Sequence, residues 1–222
     1  LSITARWTYK LSLTGEGGNA QEIPVAASSG EFTPDRDMTT GPQFTAPAGE
    51  TLTVAFTQGA GVWGNAYSYI ALGNDGQFDF NANSTDITGT DVMTYSFYSG
   101  DPGDDTSGQN SAGTALSGRS RNTMDCPSFS APATPGLYRV RFKVDWNSLD
   151  PAGQLYVNDA NVGLLRNGGC IVDAMLRVGA PTGISNATTT SERKSMYDLS
   201  GRRLEKAPAK GVYILNNRKV VK

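Results

Sequence analysis

The feature that most limits the fold of this chain is two-residue alternation in short segments separated by glycine-rich turns. Residues 137–146 show it most clearly, because Tyr138, Val140, Phe142 and Val144 alternate with charged or exposed-type residues. This period places apolar side chains on one side of an extended strand and polar side chains on the other. The pattern predicts a strand with one buried face and one solvent-exposed face.

The same alternation recurs through the first 180 residues of the chain. The predicted strand segments are residues 6–13, 22–26, 52–56, 63–72, 77–80, 93–98, 137–146 and 170–178. Residues 99–121 are rich in Gly, Ser and Asp and predict a long loop, and residues 155–165 fit either a short helix or an irregular segment. About eight short strands joined by turns indicate an all-β fold, an antiparallel β-sandwich of the jelly-roll type.

Charge divides the chain into two parts. Residues 1–190 contain 10 Lys and Arg against 18 Asp and Glu, whereas residues 191–222 contain 9 against 3. A shift of this kind near a Pro-, Gly- and Thr-rich stretch is typical of a domain boundary. We expect a β-sandwich binding domain at residues 1–180 and a small basic β module at residues 181–222.

The basic module has its own turn signals. Ser200-Gly201 and Asn216-Asn217 each lie between strand-like residues and predict two hairpins with two-residue loops. Its basic residues alternate along short strands and do not form a dense run, so we expect a solvated strand face and no nucleic-acid partner. No apolar run approaches the length of a membrane span. The sequence enters strand-like residues directly at Leu1, as expected of a mature chain or one trimmed of its leader.

The chain contains no histidine, which excludes several kinds of chemistry. Ser-His-Asp triads, Cys-His pairs and His-ligated metal sites are ruled out, and any catalysis would need other groups such as paired carboxylates. Asp145 and Asp173 are the strand acids with apolar or aromatic neighbours, but both alternate onto the predicted polar face. These residues favour a non-catalytic protein. The two cysteines, Cys126 and Cys170, allow either one disulfide or two buried thiols.

Aromatic residues beside Gly and Asn indicate a carbohydrate site. Trp63 lies in a loop setting between two glycine-containing segments, whereas Trp7 and Trp146 alternate with polar residues as core residues do. Flat rings stack on the C–H faces of sugars, and nearby amide or carboxylate groups bind the hydroxyls. The predicted ligand-binding residues are Trp63, Asn65, Tyr67, Asn74 and Tyr98. The alternative role for Trp63 is packing at the edge of the fold.

Oxygen-bearing side chains alternate around a glycine turn at residues 74–81. Asp75, Asp79 and Asn81 can supply part of the oxygen shell that Ca²⁺ takes, and Asp75 is also a candidate for binding sugar hydroxyls. The alternative is a tight turn, since Asn-Asp-Gly is favoured by backbone geometry alone. The sequence leaves a calcium loop and a plain turn open.

The C-terminal end carries a more specific motif. Met196-Tyr-Asp-Leu-Ser-Gly-Arg-Arg-Leu204 is followed by Lys210-Gly-Val-Tyr-Ile-Leu215 and by Arg218-Lys-Val-Val-Lys222. This arrangement resembles the C-terminal domain of exported Bacteroidetes proteins, whose longer members direct passage across the outer membrane and attachment at the surface. The resemblance implies a secreted or outer-membrane-surface protein, with the periplasm as the alternative. Its implied partner is the export or attachment machinery.

Two segments of the larger part resemble another family. Tyr69-Ile-Ala-Leu-Gly-Asn-Asp-Gly-Gln-Phe-Asp-Phe80 is similar to the Tyr-x-Asp-x-Asn-x-Asp-Gly-x-Phe segment of GEVED-like β-sandwich modules. Gly136-Leu-Tyr-Arg-Val-Arg-Phe-Lys-Val144 is similar to their Gly-x-Tyr-Arg-x-Arg strand. Such modules occur beside secreted glycosidases and adhesins. The first acidic position of the family's loop is Ala71 or Gly73 here, a departure that weakens any implied cation site.

These observations lead to three ordered hypotheses. The first is a secreted or surface-held, non-catalytic carbohydrate-binding or accessory β-sandwich of a polysaccharide-handling system. The second is a structural or adhesive module that contacts proteins, and the third is a histidine-free carboxylate glycosidase. A glycan is the expected ligand, and Ca²⁺ is the one cofactor that the residues suggest.

Overall fold

Short strands make up the regular structure of the chain. The computed structural model describes residues 8–26, 33–58, 64–82, 84–97, 107–117, 124, 126–145, 149–153, 164, 168–179, 196–197, 203–204, 212–215 and 218–221. The strands before residue 180 are β1 (Thr8–Thr14), β2 (Ala20–Pro24), β3 (Asp35–Pro47), β4 (Thr51–Gln58), β5 (Asn65–Ile70), β6 (Val92–Phe97), β7 (Ser107–Asn110), β8 (Ala115–Ser117), β9 (Phe129–Ser130), β10 (Gly136–Asp145) and β11 (Cys170–Gly179). The described residues include no helix, so the all-β prediction is confirmed.

These strands form two sheets. One has four strands in the order β2-β1-β4-β9, and the other has seven in the order β3-β11-β10-β5-β6-β7-β8. Neighbouring strands are antiparallel, as expected, except for β3 and β11, which run parallel. No hairpin joins β3 to β11, and without a tight turn nothing local imposes the antiparallel direction.

The edge strand β3 has no counterpart among the predicted strands. Its first half is polar and it contains Gly41-Pro42, a turn signal. An edge strand tolerates proline because the missing N–H interrupts no ladder on its open side. The side-chain amide of Gln21 accepts a hydrogen bond from the N–H of Thr45 at 2.7 Å and donates one to its C=O at 2.6 Å. The Gln21 side chain therefore provides hydrogen-bond partners for the backbone N–H and C=O of Thr45 at the sheet edge.

The segment predicted as a long loop, residues 99–121, contains the hairpin of β7 and β8. These strands were not predicted because the segment has too few apolar residues to show a two-residue alternation. The Oδ1 atom of Asn110 accepts hydrogen bonds from the N–H groups of Ala112 and Thr114, both at 3.1 Å, and so shapes the turn between them. The segment at residues 155–165 lies outside the described residues except for Leu164.

Residues 77–80, predicted as a strand, are irregular. Phe78 is buried, which produced the apparent alternation, but the N–H of Asp79 donates to a side chain, the Oδ2 atom of Asp91, at 2.9 Å. Residues 77–80 are therefore held by the side chain of Asp91, and they do not pair with a neighbouring strand. For so short a segment, periodicity alone does not distinguish a paired strand from an irregular segment with one buried side chain.

The two sheets share one hydrophobic core. Leu11, Val54 and Phe56 of the four-stranded sheet and Phe142 and Leu176 of the seven-stranded sheet are all buried in it. The rings of Phe56 and Phe142 meet edge to face, with centroids 6.1 Å apart. Burial of each such side chain contributes about 1.5–3 kcal/mol to folding. The first unit of the chain is therefore sandwich-like, with a core between two sheet faces.

The other face of the seven-stranded sheet is covered as well. Tyr69 and Tyr95 lie on this face and are buried together with Phe78, which follows β5, and Leu149, which follows β10. The hydroxyl of Tyr69 donates to the backbone C=O of Leu149 at 2.9 Å. Chain segments between strands thus cover the face that the alternation of β10 predicted to be open.

The predicted polar side of β10 and β11 is consequently buried. Lys143 and Asp145 are 0% exposed and Asp173 is 2% exposed. The expectation that Asp145 and Asp173 lie on an open polar face is wrong. Alternation separates the two faces of a strand, but it does not show whether distant segments cover the second face.

The chain separates into two compact units, Leu1–Thr182 and Gly183–Lys222. The second unit is an antiparallel sheet in the order β13-β12-β14-β15. Its strands are β12 (Met196–Tyr197), β13 (Arg203–Leu204), β14 (Val212–Leu215) and β15 (Arg218–Val221). Pairing of β12 with β14 joins the two hairpins into one sheet.

The two hairpins are described by their paired strand residues. Tyr197 pairs with Arg203 and Leu215 pairs with Arg218. The predicted loop residues Ser200-Gly201 and Asn216-Asn217 lie outside the described residues.

Candidate functional site

Strand ends from both sheets meet at one end of the first unit, which we call the binding end. The last residue of β10, Asp145, pairs with the first residue of β5, Asn65. On the neighbouring strands, Ala66 pairs with Ser96 near the end of β6. Thr8, the first residue of β1, lies close to the thiol of Cys170, the first residue of β11. Both sheets therefore contribute strand ends to the binding end.

The sequence attaches aromatic residues to these strand ends. Trp63 precedes Asn65 by two positions, Tyr98 follows β6 directly and Trp146 follows Asp145 directly. Trp63 and Tyr98, two of the predicted ligand-binding residues, lie outside the described residues, as does Trp146. The described strands establish that the segments carrying them begin at neighbouring positions of one sheet.

Two other predicted ligand-binding residues are buried at the same end. Tyr67 is 2% exposed, with its ring centroid 6.4 Å from those of Tyr69 and Tyr95. Asn65 is 7% exposed, and its side chain hydrogen-bonds to Tyr67. The prediction that Tyr67 stacks on a sugar is wrong, because its ring is enclosed by side chains of its own sheet.

Asn74, the fifth predicted ligand-binding residue, is exposed but lies elsewhere. It follows β5 at the end opposite Asn65, and six strand residues separate the two ends by about 17 Å. Its backbone has φ of 53°, a left-handed conformation that asparagine tolerates better than most residues. The structure therefore does not bring Asn74 together with the residues at the binding end.

Two of the three predicted calcium ligands, Asp75 and Asn81, use their side chains in turn formation, and Asp79 is held through its backbone. The Oδ1 atom of Asp75 accepts a hydrogen bond from the N–H of Gln77 at 2.9 Å, and the Nδ2 atom of Asn81 donates to the C=O of Asp86 at 2.8 Å. The described part of the chain includes no group of three or more acidic, cysteine or histidine side chains that could hold a metal ion. The side-chain geometry at Asp75 and Asn81 is that of a hydrogen-bonded turn.

Asp91 organises this loop from the far side. Its Oδ1 atom accepts a hydrogen bond from the N–H of Leu72 at 3.0 Å, and its Oδ2 atom accepts one from Asp79 at 2.9 Å. The N–H of Asp91 in turn donates to the C=O of Asp79 at 2.9 Å. One buried carboxylate thus fixes both ends of the segment that covers the second face of the large sheet.

A buried polar group lies beneath the binding end, and we call it the lysine cluster: Asn65, Tyr67, Lys143, Asp145 and Asp150. Every member is buried. The Nζ atom of Lys143 lies 4.6 Å from the centroid of the Tyr67 ring and donates to the backbone C=O of Asp150. Burial lowers the pKa of Lys143 to about 8, although the carboxylates of Asp145 and Asp150 act to raise it. Burial also raises the pKa of Tyr67, so its phenol stays neutral.

Glycines close the space around Asp145. A Cβ atom added to Gly153 would lie 3.1 Å from the Oδ2 atom of Asp145, and one added to Gly169 would lie 3.0 Å from its Oδ1 atom. The added Cβ of Gly169 would also lie 2.7 Å from the backbone oxygen of Val144. Only residues without a side chain let the backbone approach the carboxylate so closely.

The lysine cluster was not predicted, because charged residues on a strand usually indicate a solvent-exposed face. A signal was nevertheless present. Lys143 and Asp145 are followed closely by Leu149-Asp150-Pro-Ala-Gly153, a segment that contains an apolar residue and a turn. A chain reversal of this kind directly after a charged strand face is consistent with a segment that folds back over it.

The fold, the binding end and the lysine cluster are the basis on which this protein can be classified. No protein-family model, no curated protein and no solved structure matches this chain. Within the described residues, no helix is both long and apolar enough to cross a membrane. The described residues define an all-β, sandwich-like protein whose large sheet has the ends of β5, β6 and β10 side by side.

Proposed function

We propose that the first unit is a non-catalytic carbohydrate-binding or accessory module of an exported protein. The observation that carries this proposal is the convergence of strand ends, from which the segments with Trp63, Tyr98 and Trp146 extend. Flat aromatic rings with polar neighbours are the groups that bind sugar rings through stacking and hydrogen bonds. Trp146 joins the candidates because β10 ends beside β5.

The positions of the two strand carboxylates, Asp145 and Asp173, favour a binding role over glycosidase activity. A paired-carboxylate glycosidase needs two acids facing each other across an accessible cleft. Here both oxygens of Asp173 accept hydrogen bonds from arginines, and Asp145 is 0% exposed beneath its glycines. Neither acid is therefore accessible to a bound polysaccharide.

A glycan array followed by calorimetry on the selected polysaccharide tests the proposal. We expect Trp63→Ala to weaken binding at least about tenfold, which corresponds to about 1.4 kcal/mol. Asn74→Gly is the matched control, because it removes a polar side chain at the opposite end of β5 and keeps the positive φ. Unchanged binding by Trp63→Ala, or the absence of any bound glycan, would leave the protein-contacting module as the better hypothesis.

We further propose that the chain is secreted or held at the outer-membrane surface, with the second unit as the recognition element for export. The support is the sequence motif at residues 196–222, which resembles the C-terminal domain of exported Bacteroidetes proteins. Removing residues 183–222 should retain the protein inside the cell, as measured by fractionation in the native host. Export of the shortened chain at the normal level would refute this role.

A further inference from the structure

Four members of the lysine cluster form a square on two adjacent strands. Lys143 of β10 lies directly opposite Tyr67 of β5, and Asp145 lies directly opposite Asn65. Residues two apart on a strand share a face, so all four side chains are on the covered face of the sheet. Lys143 and Asn65 are diagonal neighbours, about 7–8 Å apart at the backbone, a spacing that long side chains reach across.

The environment of the square favours a neutral, nucleophilic lysine. Lys143 and Asp145 are 0% exposed, and Asn65 is 7% exposed. With its pKa lowered to about 8 by burial, Lys143 has a substantial neutral fraction near neutral pH. A desolvated amine is a recognised way to activate lysine for attack on a carbonyl. The Tyr67 ring packs against the amine, while its hydroxyl is hydrogen-bonded to the Asn65 amide.

We propose that Lys143 and Asn65 form an intramolecular amide bond that cross-links β10 to β5. The neutral Nζ atom of Lys143 attacks the Cγ atom of Asn65, a new C–N bond forms, and the original bond from Cγ to Nδ2 breaks. The Nδ2 group leaves as ammonia. No oxidant or other reactant is consumed, since one amide replaces another.

Asp145 is positioned to move the protons. It lies two residues from Lys143 on the same strand and directly opposite Asn65, so both reacting residues are its neighbours on the covered face. As a general base it takes a proton from the attacking amine, and as a general acid it returns one to the departing nitrogen. Gly153 and Gly169 leave little room for water around the carboxylate, which limits competing hydrolysis.

The lysine cluster also contains two carboxylates, those of Asp145 and Asp150, that could form an amide with Lys143. The contacts of Lys143 and the position of each residue in the chain favour Asn65 over both. Lys143 donates to the backbone oxygen of Asp150, so this contact does not direct the amine at the Asp150 carboxyl carbon. Asp145 is on the same strand as Lys143, where a bond would link no separate elements. A bond to Asn65 joins two strands at the binding end, where the aromatic-bearing segments begin.

Intact-mass spectrometry of the full-length protein, purified without denaturation, tests the inference. The expected mass is about 17 Da below that of the sequence, the mass of one ammonia. A peptide digest should contain one species that joins the Lys143 and Asn65 peptides. Ring closure at another asparagine to a succinimide would give the same mass change without joining two peptides, and would overturn the inference.

Variants give the matched controls. Lys143→Arg should restore the full sequence mass, because guanidinium does not form this bond, whereas Lys10→Arg on the exposed surface should keep the deficit. Asn65→Asp should give a loss of about 18 Da, since water leaves in place of ammonia. Asp145→Asn should accumulate unlinked chain of full mass. A wild-type mass equal to that of the sequence, or a peptide joined through Asp145 or Asp150, would refute the Lys143–Asn65 bond.

Discussion

The carboxylate of Asp173 binds the guanidinium of Arg141 through two parallel hydrogen bonds, from Nε to Oδ1 and from Nη2 to Oδ2, both 2.7 Å long. Arg139 donates a further hydrogen bond to Oδ2 at 2.5 Å. The side chain of Asp173 is 3% exposed and that of Arg141 is 16% exposed. One carboxylate therefore binds two arginines on the covered face of the large sheet.

Removing this acid should strongly destabilise the fold. Asp173→Ala leaves Arg141 with an uncompensated positive charge in a covered position, and we expect the free energy of unfolding to fall by about 3–5 kcal/mol. Urea unfolding followed by circular dichroism measures the loss. Glu22→Ala is the control, since the Lys10–Glu22 pair at 2.7 Å has side chains 42% and 48% exposed. That pair should contribute less than about 1 kcal/mol, and equal effects of the two variants would contradict the argument.

Asp91 should stabilise the loop between β5 and β6 far more than its neighbours do. Asp91→Ala leaves the N–H groups of Leu72 and Asp79 without their acceptor, and a hydrogen bond to a charged group contributes about 1.5–3 kcal/mol. The expected result is faster amide hydrogen exchange across the loop and a lower midpoint of urea unfolding. Asp86→Ala is the matched control, because Asp86 also accepts a backbone hydrogen bond, from Thr88 at 2.9 Å, but on the exposed surface. Similar exchange in both variants would argue against Asp91 as the organising residue.

Close packing around Asp145 predicts an unusually costly glycine substitution. Gly153 has φ of +65°, and an added Cβ would lie 3.0 Å from the Cβ of Leu164. Gly113 has φ of +74° and nothing within 4 Å of an added Cβ. Gly113→Ala should therefore cost only the left-handed backbone strain of about 1–2 kcal/mol. Gly153→Ala should cost about 1–3 kcal/mol more in thermal or urea unfolding, because side chains must also move. Equal costs would mean that the space around Asp145 is less tight than described.

The buried thiol of Cys170 predicts loss of stability at alkaline pH. Burial raises its pKa from 9.0 to about 11. Between these values the unfolded chain releases the thiol proton and the folded chain keeps it, so the free energy of unfolding falls as pH rises from 9.0 to about 11. Below this range the contribution is fully present. It amounts to about 2–3 kcal/mol in total.

The measurement is the difference in unfolding free energy between wild type and Cys170→Ala from pH 8 to about 11. Buried tyrosines such as Tyr69, whose pKa is also raised, lower the stability of both proteins at high pH and cancel in the difference. The wild type should lose its advantage over the variant as pH rises. A difference that stays constant with pH would refute the assignment.

Both cysteines should be present as reduced thiols. Cys126 and Cys170 are buried, and no disulfide joins them in the structure. Alkylation in denaturant without reductant should label two thiols per chain, and the same reaction on the native protein should label neither in the same time. Absence of labelling in denaturant would instead indicate the disulfide that the sequence left open.

The sequence pattern identified those strands in which apolar and polar residues alternate strictly. Residues 137–146 and 170–178 alternate strictly, and both are strands in the structure. The pairing of Leu215 with Arg218 agrees with the hairpin that the flanking strand residues predicted. Elements that depend on distant partners were missed. The edge strand β3 is polar and contains proline, and its place beside β11 follows from a pairing between residues that are far apart in sequence.

The candidate sites divide in the same way. The sequence by itself determined the all-β class, the presence of loop aromatics such as Trp63 and the absence of histidine chemistry, because these depend on composition and short-range period. Only the tertiary structure decided that Tyr67 is enclosed, that Asn74 lies at the far end of β5 and that Lys143 and Asn65 are diagonal neighbours in a buried square. Alternation assigns each side chain to a face of its strand, but what covers that face depends on chain segments brought there by folding.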